Sequence, residues 1–221
     1  ATWNDDEALQ KRRQGLVVLM EGADPIIEPR QFEEWYERGV RGVGLAWQGT
    51  RYAGGTGMPG GLTNLGYELL EILASFNVLL DLSHLAEQSF YEAVDRYEGA
   101  IIASHSNPRR FCNTDRHLSD EMIRRLAERD GVMGVVLYAA FLKQGWKRSD
   151  GLLPIYVVAD VIDHVCQVTG SAAHVGIGSD FDGGFGGESA PAGLDSVMDL
   201  LRIADLLRGR GYDETDIEAI M

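Results

Sequence analysis

The sequence predicts an α/β fold, a (β/α)8 TIM-like barrel with about six of its eight βα units present. Two observations predict it. Short apolar runs alternate with segments of helical spacing along the chain, the signature of parallel βα units. The runs are bounded by residues able to do chemistry: Glu21, Trp47 with Gln48, His84, His105, Tyr138 and Asp180. A closed barrel brings such strand ends to one mouth, whereas an open doubly wound sheet spreads them along an edge with its cleft at the switch point.

Taken in order, the apolar runs are Leu16–Met20, Val43–Ala46, Val78–Leu82, Ala100–Ala103, Val132–Tyr138 and Val175–Ile177, each short enough for a buried strand. Between the second and third, Leu62, Leu65, Leu69, Ile72, Leu73 and Phe76 recur at helical spacing. Ser119 is placed to cap a helix carrying Met122, Ile123, Leu126 and Ala127, and a further helix is expected over 155–168. Asp213 or Thr215 can cap a last one. Ala1 to Arg13 reads as a helix that follows a strand, so the barrel reading expects two strands before residue 1 and a tail after Met221.

Composition bounds the function. A chain of 221 residues is expected to form one catalytic barrel domain over 1–221. No apolar stretch approaches the roughly 20 residues that span a bilayer, so no membrane span is expected. The formal charge of −14, with no basic cluster, argues against a nucleic-acid partner. Cys112 and Cys166 make no disulfide framework, and no signal-like segment opens the chain, which points to a reducing, cytoplasmic setting.

The chemistry lies at the strand ends. His84 and His105, 21 residues apart, are spaced as successive βα units and face one mouth. Glu21 and Asp180 add carboxylates, completing a nitrogen and oxygen donor set suited to zinc or a similar divalent transition metal. Each residue also has a bland reading. A lone strand-end histidine is commonly a hydrogen-bonded rim residue, Asp182–Gly183 reads as a turn, and Asp81 and Ser83 read as orienting His84 or satisfying backbone groups. His117, His164 and His174 lack a partner pattern, and His164 reads as structural.

The ordered series "LMEGADP", "GVRGVGLAWQGTRYAGGTG", "GLTNLGYELL", "DLSHL", "IIASHSNPRRFCNTDRHLSDE" and "VGIGSDFDGG" resembles the membrane dipeptidase family, peptidase family M19, over nearly the whole chain. The resemblance implies an amidohydrolase-like, metal-dependent hydrolase barrel with two zinc ions (Zn2+), hydrolysing small dipeptides, often with a C-terminal D-residue. It implies that Glu21 bridges the metals, that His84 and His105 ligate one of them, and that Asp180 handles the proton. Arg116 matches the arginine that binds the substrate carboxylate, and Trp47 and Tyr138 fall at substrate-facing positions. Two departures stand out: the family's His-x-Asp ligand pair would precede Ala1, and Trp47 stands where renal-type members carry a histidine. Hence fewer than two ions are expected on this chain. The partners implied are a small peptide substrate and a second copy in a homodimer. The alternatives are a non-catalytic binding or scaffold protein using Trp47, Tyr52 and the "YAGGTGMPGG" loop, or an amidohydrolase acting on β-lactams or other small cyclic amides.

Overall fold

A computed structural model describes residues 15–221; the helix expected over Ala1–Arg13 lies outside them. Six strands form one parallel sheet: β1 (Val18–Glu21), β2 (Val40–Gly44), β5 (Leu79–Asp81), β6 (Ile101–Ser106), β7 (Val132–Val135) and β8 (Val175–Ile177), adjacent in that order. These are the six apolar runs of the sequence, the last with the expected bounds. The fifth strand stops at Val135, short of Tyr138, because the chain turns there into a short helix, Ala139–Leu142. The remaining two strands, β3 (Ala53–Gly55) and β4 (Met58–Leu62), form an antiparallel hairpin from the glycine-rich segment "YAGGTGMPGG", where the sequence pattern predicts a loop.

Strand register places the site. Glu21 pairs with Gly44, Gly44 with Asp81, and Asp81 with Ile102, so one row runs across four strands. Trp47, His84 and His105 each stand three positions beyond a member of that row. On the next strands Ser106 pairs with Val135 and Val135 with Ile177, and Tyr138 and Asp180 stand three positions beyond those. Parallel register therefore delivers all six residues to the C-terminal end of the sheet. His105 is still inside β6 rather than after it.

Helices cover the sheet in the way their patterning requires. The helix Asn64–Ser75 begins at Thr63, whose hydroxyl accepts from the Gly66 N–H, and buries Leu69, Leu70 and Leu73. A helix over Asp120–Ala127 is capped by Ser119 as expected and buries Met122, Ile123 and Leu126. Tyr156–Thr169 buries Val158, Val161, Ile162 and Val165, and stops at Gly170, whose φ of 76° suits a glycine. Asp213 caps Glu214–Ile220. Opposite these faces Val43, Leu80, Leu82, Met133, Val135 and Val175 are fully enclosed in the sheet. Each such side chain contributes about 1.5–3 kcal/mol through burial, and that continuous core holds the strand ends in register.

Candidate metal centre and active site

At the C-terminal end of the sheet a cavity of about 260 Å³ is lined by Glu21, Trp47, His84, Arg116, Tyr138 and Asp180, with Phe141 and Phe185 among its walls. A larger surface groove of about 650 Å³ lies between the helices Asn64–Ser75 and Glu87–Arg96. Its arginines are already committed: Arg96 pairs with Glu71, and Arg129 donates to backbone carbonyls of Val94, Tyr97 and Gly99. The smaller cavity holds the chemistry.

Its centre is a triangle of donor atoms. Glu21 Oε1 lies 3.2 Å from His84 Nε2 and 3.0 Å from His105 Nε2, and the two Nε2 atoms are 3.0 Å apart. Glu21, His84 and His105 are the metal-competent group found among the described residues. Two imidazole nitrogens and one carboxylate oxygen fit one ion of the zinc type. Asp180 lines the same cavity but stands outside that triangle.

Each imidazole is held from behind. His84 Nδ1 is 3.2 Å from Thr56 Oγ1 on the β3–β4 hairpin, and His105 Nδ1 is 2.8 Å from Ser104 Oγ. Trp47 lies against His84 with ring centroids 5.5 Å apart and planes 32° apart, while remaining half exposed, the place of a packed rim aromatic. His84 and Asp180 also carry positive φ, 65° and 57°. The other non-glycine cases among the described residues, Asn77 and Asp130, sit at helix exits. Left-handed backbone costs a non-glycine residue energy, and its presence on two cavity residues marks a locally over-determined site.

Electrostatics separates the carboxylates. Contact with the His105 and His84 side chains holds Glu21 far below the usual carboxylate range, overriding its partial burial. Burial pushes Asp180 up, against the pull of His105 and Arg116. Burial lowers His84, with the Glu21 contact opposing it. Arg116 is 5% exposed and pushed down to about 10 by its burial. Its Nη1 donates to Ser106 Oγ at 3.0 Å and its Nη2 to the His105 carbonyl at 2.6 Å, while Nε is buried without a partner. Arg116 is thus no surface cation.

Two sequence assignments are corrected. For Asp81 and Ser83 the backbone reading holds, since Asp81 accepts from the Ser83 and Ser104 N–H groups and Ser83 Oγ from the His105 N–H, but the orienting role falls on the His105 side, where the Ser104 hydroxyl donates to Asp81, and not on His84. Parallel pairing of Asp81 with Ile102 puts it within reach of Ser104, two residues on, whereas His84 has already turned away. Tyr52 is no cleft residue; it is fully buried and its hydroxyl donates to the Ile26 carbonyl. Ser104, Thr56, Phe141 and Phe185 were missed. For Ser104 the available signal was its place directly before His105 on a strand facing "DLSH". The remaining histidines are structural: His164 meets Asp120 at 2.8 Å, His117 lies between Thr114 and the Phe141 carbonyl, and His174 donates to the Gly131 carbonyl.

Residues 1–221 match the sequence model of the family described as membrane dipeptidase (peptidase family M19). The chain is 31% identical over 216 residues to the "uncharacterized protein in pqqA 5'region" of Klebsiella pneumoniae, covering 93% of this chain and 78% of that one. Among solved structures it aligns with the dipeptidase AC, a metallo peptidase, at TM-score 0.83 and 28% identity, over 92% of this chain and 62% of that one. A metallo peptidase from Rhodobacter sphaeroides, liganded with a phosphinate mimic of the dipeptide L-Ala-D-Ala, aligns at TM-score 0.81 and 28% identity, over 92% and 59%. The chain thus spans 62% and 59% of the lengths of these two solved relatives.

Proposed function

This chain belongs to the membrane dipeptidase family, peptidase family M19, and from that premise we propose that it serves in zinc-dependent hydrolysis of dipeptides, including those with a C-terminal D-residue. The observation that carries the reading is the Glu21, His84 and His105 triangle inside a small cavity at the strand ends. The ligand carried by the Rhodobacter sphaeroides relative, a mimic of L-Ala-D-Ala, supports the substrate class.

Glu21, His84 and His105 would hold the ion. When bound, it supplies a positive charge that acidifies a water and polarises a carbonyl. Asp180 takes a proton from the attacking water and returns it to the leaving amine, a task suited to a carboxyl whose proton affinity burial has raised. Arg116 holds the substrate's terminal carboxylate; its buried, unpartnered Nε leaves donor capacity that a carboxylate can take up. A free carboxylate held at a fixed distance from the scissile bond confines the enzyme to short substrates. Trp47 and Tyr138, with Phe185 packed on the Tyr138 ring at 4.9 Å, form the walls against the substrate side chains.

The experiment compares a dipeptide, its C-terminally amidated form and a tripeptide, in protein whose zinc content is measured alongside. Cleavage of the free dipeptide alone, in proportion to bound zinc, is the expected result. Equal cleavage of the amide ends the carboxylate-clamp reading, and cleavage independent of zinc ends the metal reading.

A further inference from the structure

Ser104 stands between a buried carboxylate and a histidine of the candidate metal centre, and it has one hydrogen to give. Asp81, 1% exposed, accepts through Oδ1 from the backbone N–H of Ser83 at 3.0 Å and of Ser104 at 2.9 Å. Through Oδ2 it accepts from Ser104 Oγ at 2.5 Å. A carboxylate oxygen accepts only, so the serine hydrogen points at Asp81. At 2.8 Å from His105 Nδ1 the same Oγ is then an acceptor, and Nδ1 is the donor. Ser83 completes the net: its Oγ accepts from the His105 backbone N–H at 3.1 Å and lies 3.4 Å from Ser104 Oγ.

Building on the metal reading above, we propose that Asp81, acting through Ser104, is a positioning residue that fixes His105 as the Nδ1-protonated tautomer and so presents its Nε2 lone pair to the ion. A histidine ligand's tautomer is set by the bond its other nitrogen makes. The relay is also rigid. A Cβ on either Gly134 or Gly178 would collide with the Ser104 carbonyl, so the strands crowd this backbone and leave it little room to shift. His84 is held differently. Its Nδ1 meets Thr56 Oγ1 at 3.2 Å, and that hydroxyl also faces the His84 carbonyl at 3.4 Å, so a looser contact from a hairpin replaces the buried relay.

Two variants test this. Asp81→Asn keeps the shape and an oxygen for the two backbone N–H groups, but puts an NH2 donor against Ser104. The serine hydroxyl must then reverse and donate to Nδ1, which moves the His105 proton to Nε2. Ser104→Ala cuts the link and leaves Asp81 its backbone contacts. In zinc-free protein, at a pH where imidazoles are neutral, ring nitrogen NMR should show wild-type His105 protonated at Nδ1 and the Asp81→Asn variant protonated at Nε2. Zinc affinity, read by chelator competition, should fall roughly 10- to 100-fold in both variants, with Ser104→Thr restoring most of it. Thermal unfolding identifies any variant that has lost its fold. Wild-type His105 protonated at Nε2, or folded variants that bind zinc like wild type, would overturn the relay. Wild type that binds no zinc defeats the metal reading alone, since the tautomer measurement still decides the relay.

Discussion

His105 beside Glu21 and His164 beside Asp120 are matched in exposure: each imidazole is 13% exposed, each carboxylate 45%, and the N···O distances are 3.0 and 2.8 Å. Their surroundings differ. His164, on the helix Tyr156–Thr169, meets the first residue of the helix Asp120–Ala127 and packs edge-on to Phe111, so one contact joins two helices. His105 shares Glu21 Oε1 with His84, and its own Nε2 lies 3.0 Å from the other Nε2. A pair needs one proton between its atoms. Three converging lone-pair atoms can share one cation, whereas an isolated pair of groups cannot, and this contrast is what distinguishes a candidate ligand cluster from a structural contact with the same residue types.

The largest effect expected from this contrast is on metal. His84→Ala or His105→Ala should abolish zinc binding and dipeptide hydrolysis, beyond the roughly 10- to 100-fold loss that follows damage to supporting residues. His164→Ala should leave both unchanged. Elemental analysis of the three purified variants decides it, and unchanged zinc in both His84 and His105 variants would break the comparison.

His117 extends the contrast to pH. It is buried, and that burial, with Arg116 nearby, pushes it down to about 4. The sign follows from linkage: below its unfolded pKa of about 6.5 the unfolded chain takes a proton that the folded chain refuses. Stability should therefore fall as pH drops from about 6.5 towards 4, by about 3 kcal/mol in total, and level off below. The test is urea unfolding of zinc-free protein between those limits, with His117→Gln as the comparison. If the two proteins lose stability in parallel, His117 is not the source.

The fold was legible because parallel strands buried on both faces advertise themselves as apolar runs, and Val175–Ile177 needed nothing else. The hairpin Ala53–Leu62 was not legible, since glycines and Pro59 hide strand propensity. What holds it is long-range: Gly57 N–H donates to Asp115, Leu62 N–H to Glu92, and Ala86 N–H to the Gly54 carbonyl. At the site, strand-end position singled out Glu21, His84, His105 and Asp180. The Asp81 to Ser104 link could not be read, because it depends on which residues of neighbouring strands face each other.

A smaller effect is expected at Arg116. Arg210 spends its guanidinium on Asp160 and Asp163 at the surface, whereas Arg116 keeps a buried Nε free beside the cavity. Arg116→Lys keeps the charge and loses the planar fork, so kcat/KM for dipeptides should drop by the equivalent of about 1–3 kcal/mol while zinc content holds. A loss shared equally by the amidated substrate would locate the damage in folding rather than in carboxylate recognition.

The smallest effect is the coupling within the His164–Asp120 pair. With the carboxylate half exposed, a double-mutant cycle using His164→Ala and Asp120→Ala should give a coupling of no more than about 1 kcal/mol, the range for solvent-exposed ion pairs. Zinc should not alter it, because neither residue belongs to the triangle. The same cycle on His105 and Glu21 should behave differently. Without zinc those two carry the ordinary energy of a His–carboxylate contact. With zinc, the single variants each forfeit ion binding, whose stabilisation grows with the logarithm of free zinc over its dissociation constant, so the two losses cease to add. Thermal or urea unfolding at two zinc concentrations measures both cycles. A zinc-dependent coupling at His164–Asp120, or a zinc-independent one at His105–Glu21, would show that counting convergent lone pairs does not distinguish ligand from strut in this molecule.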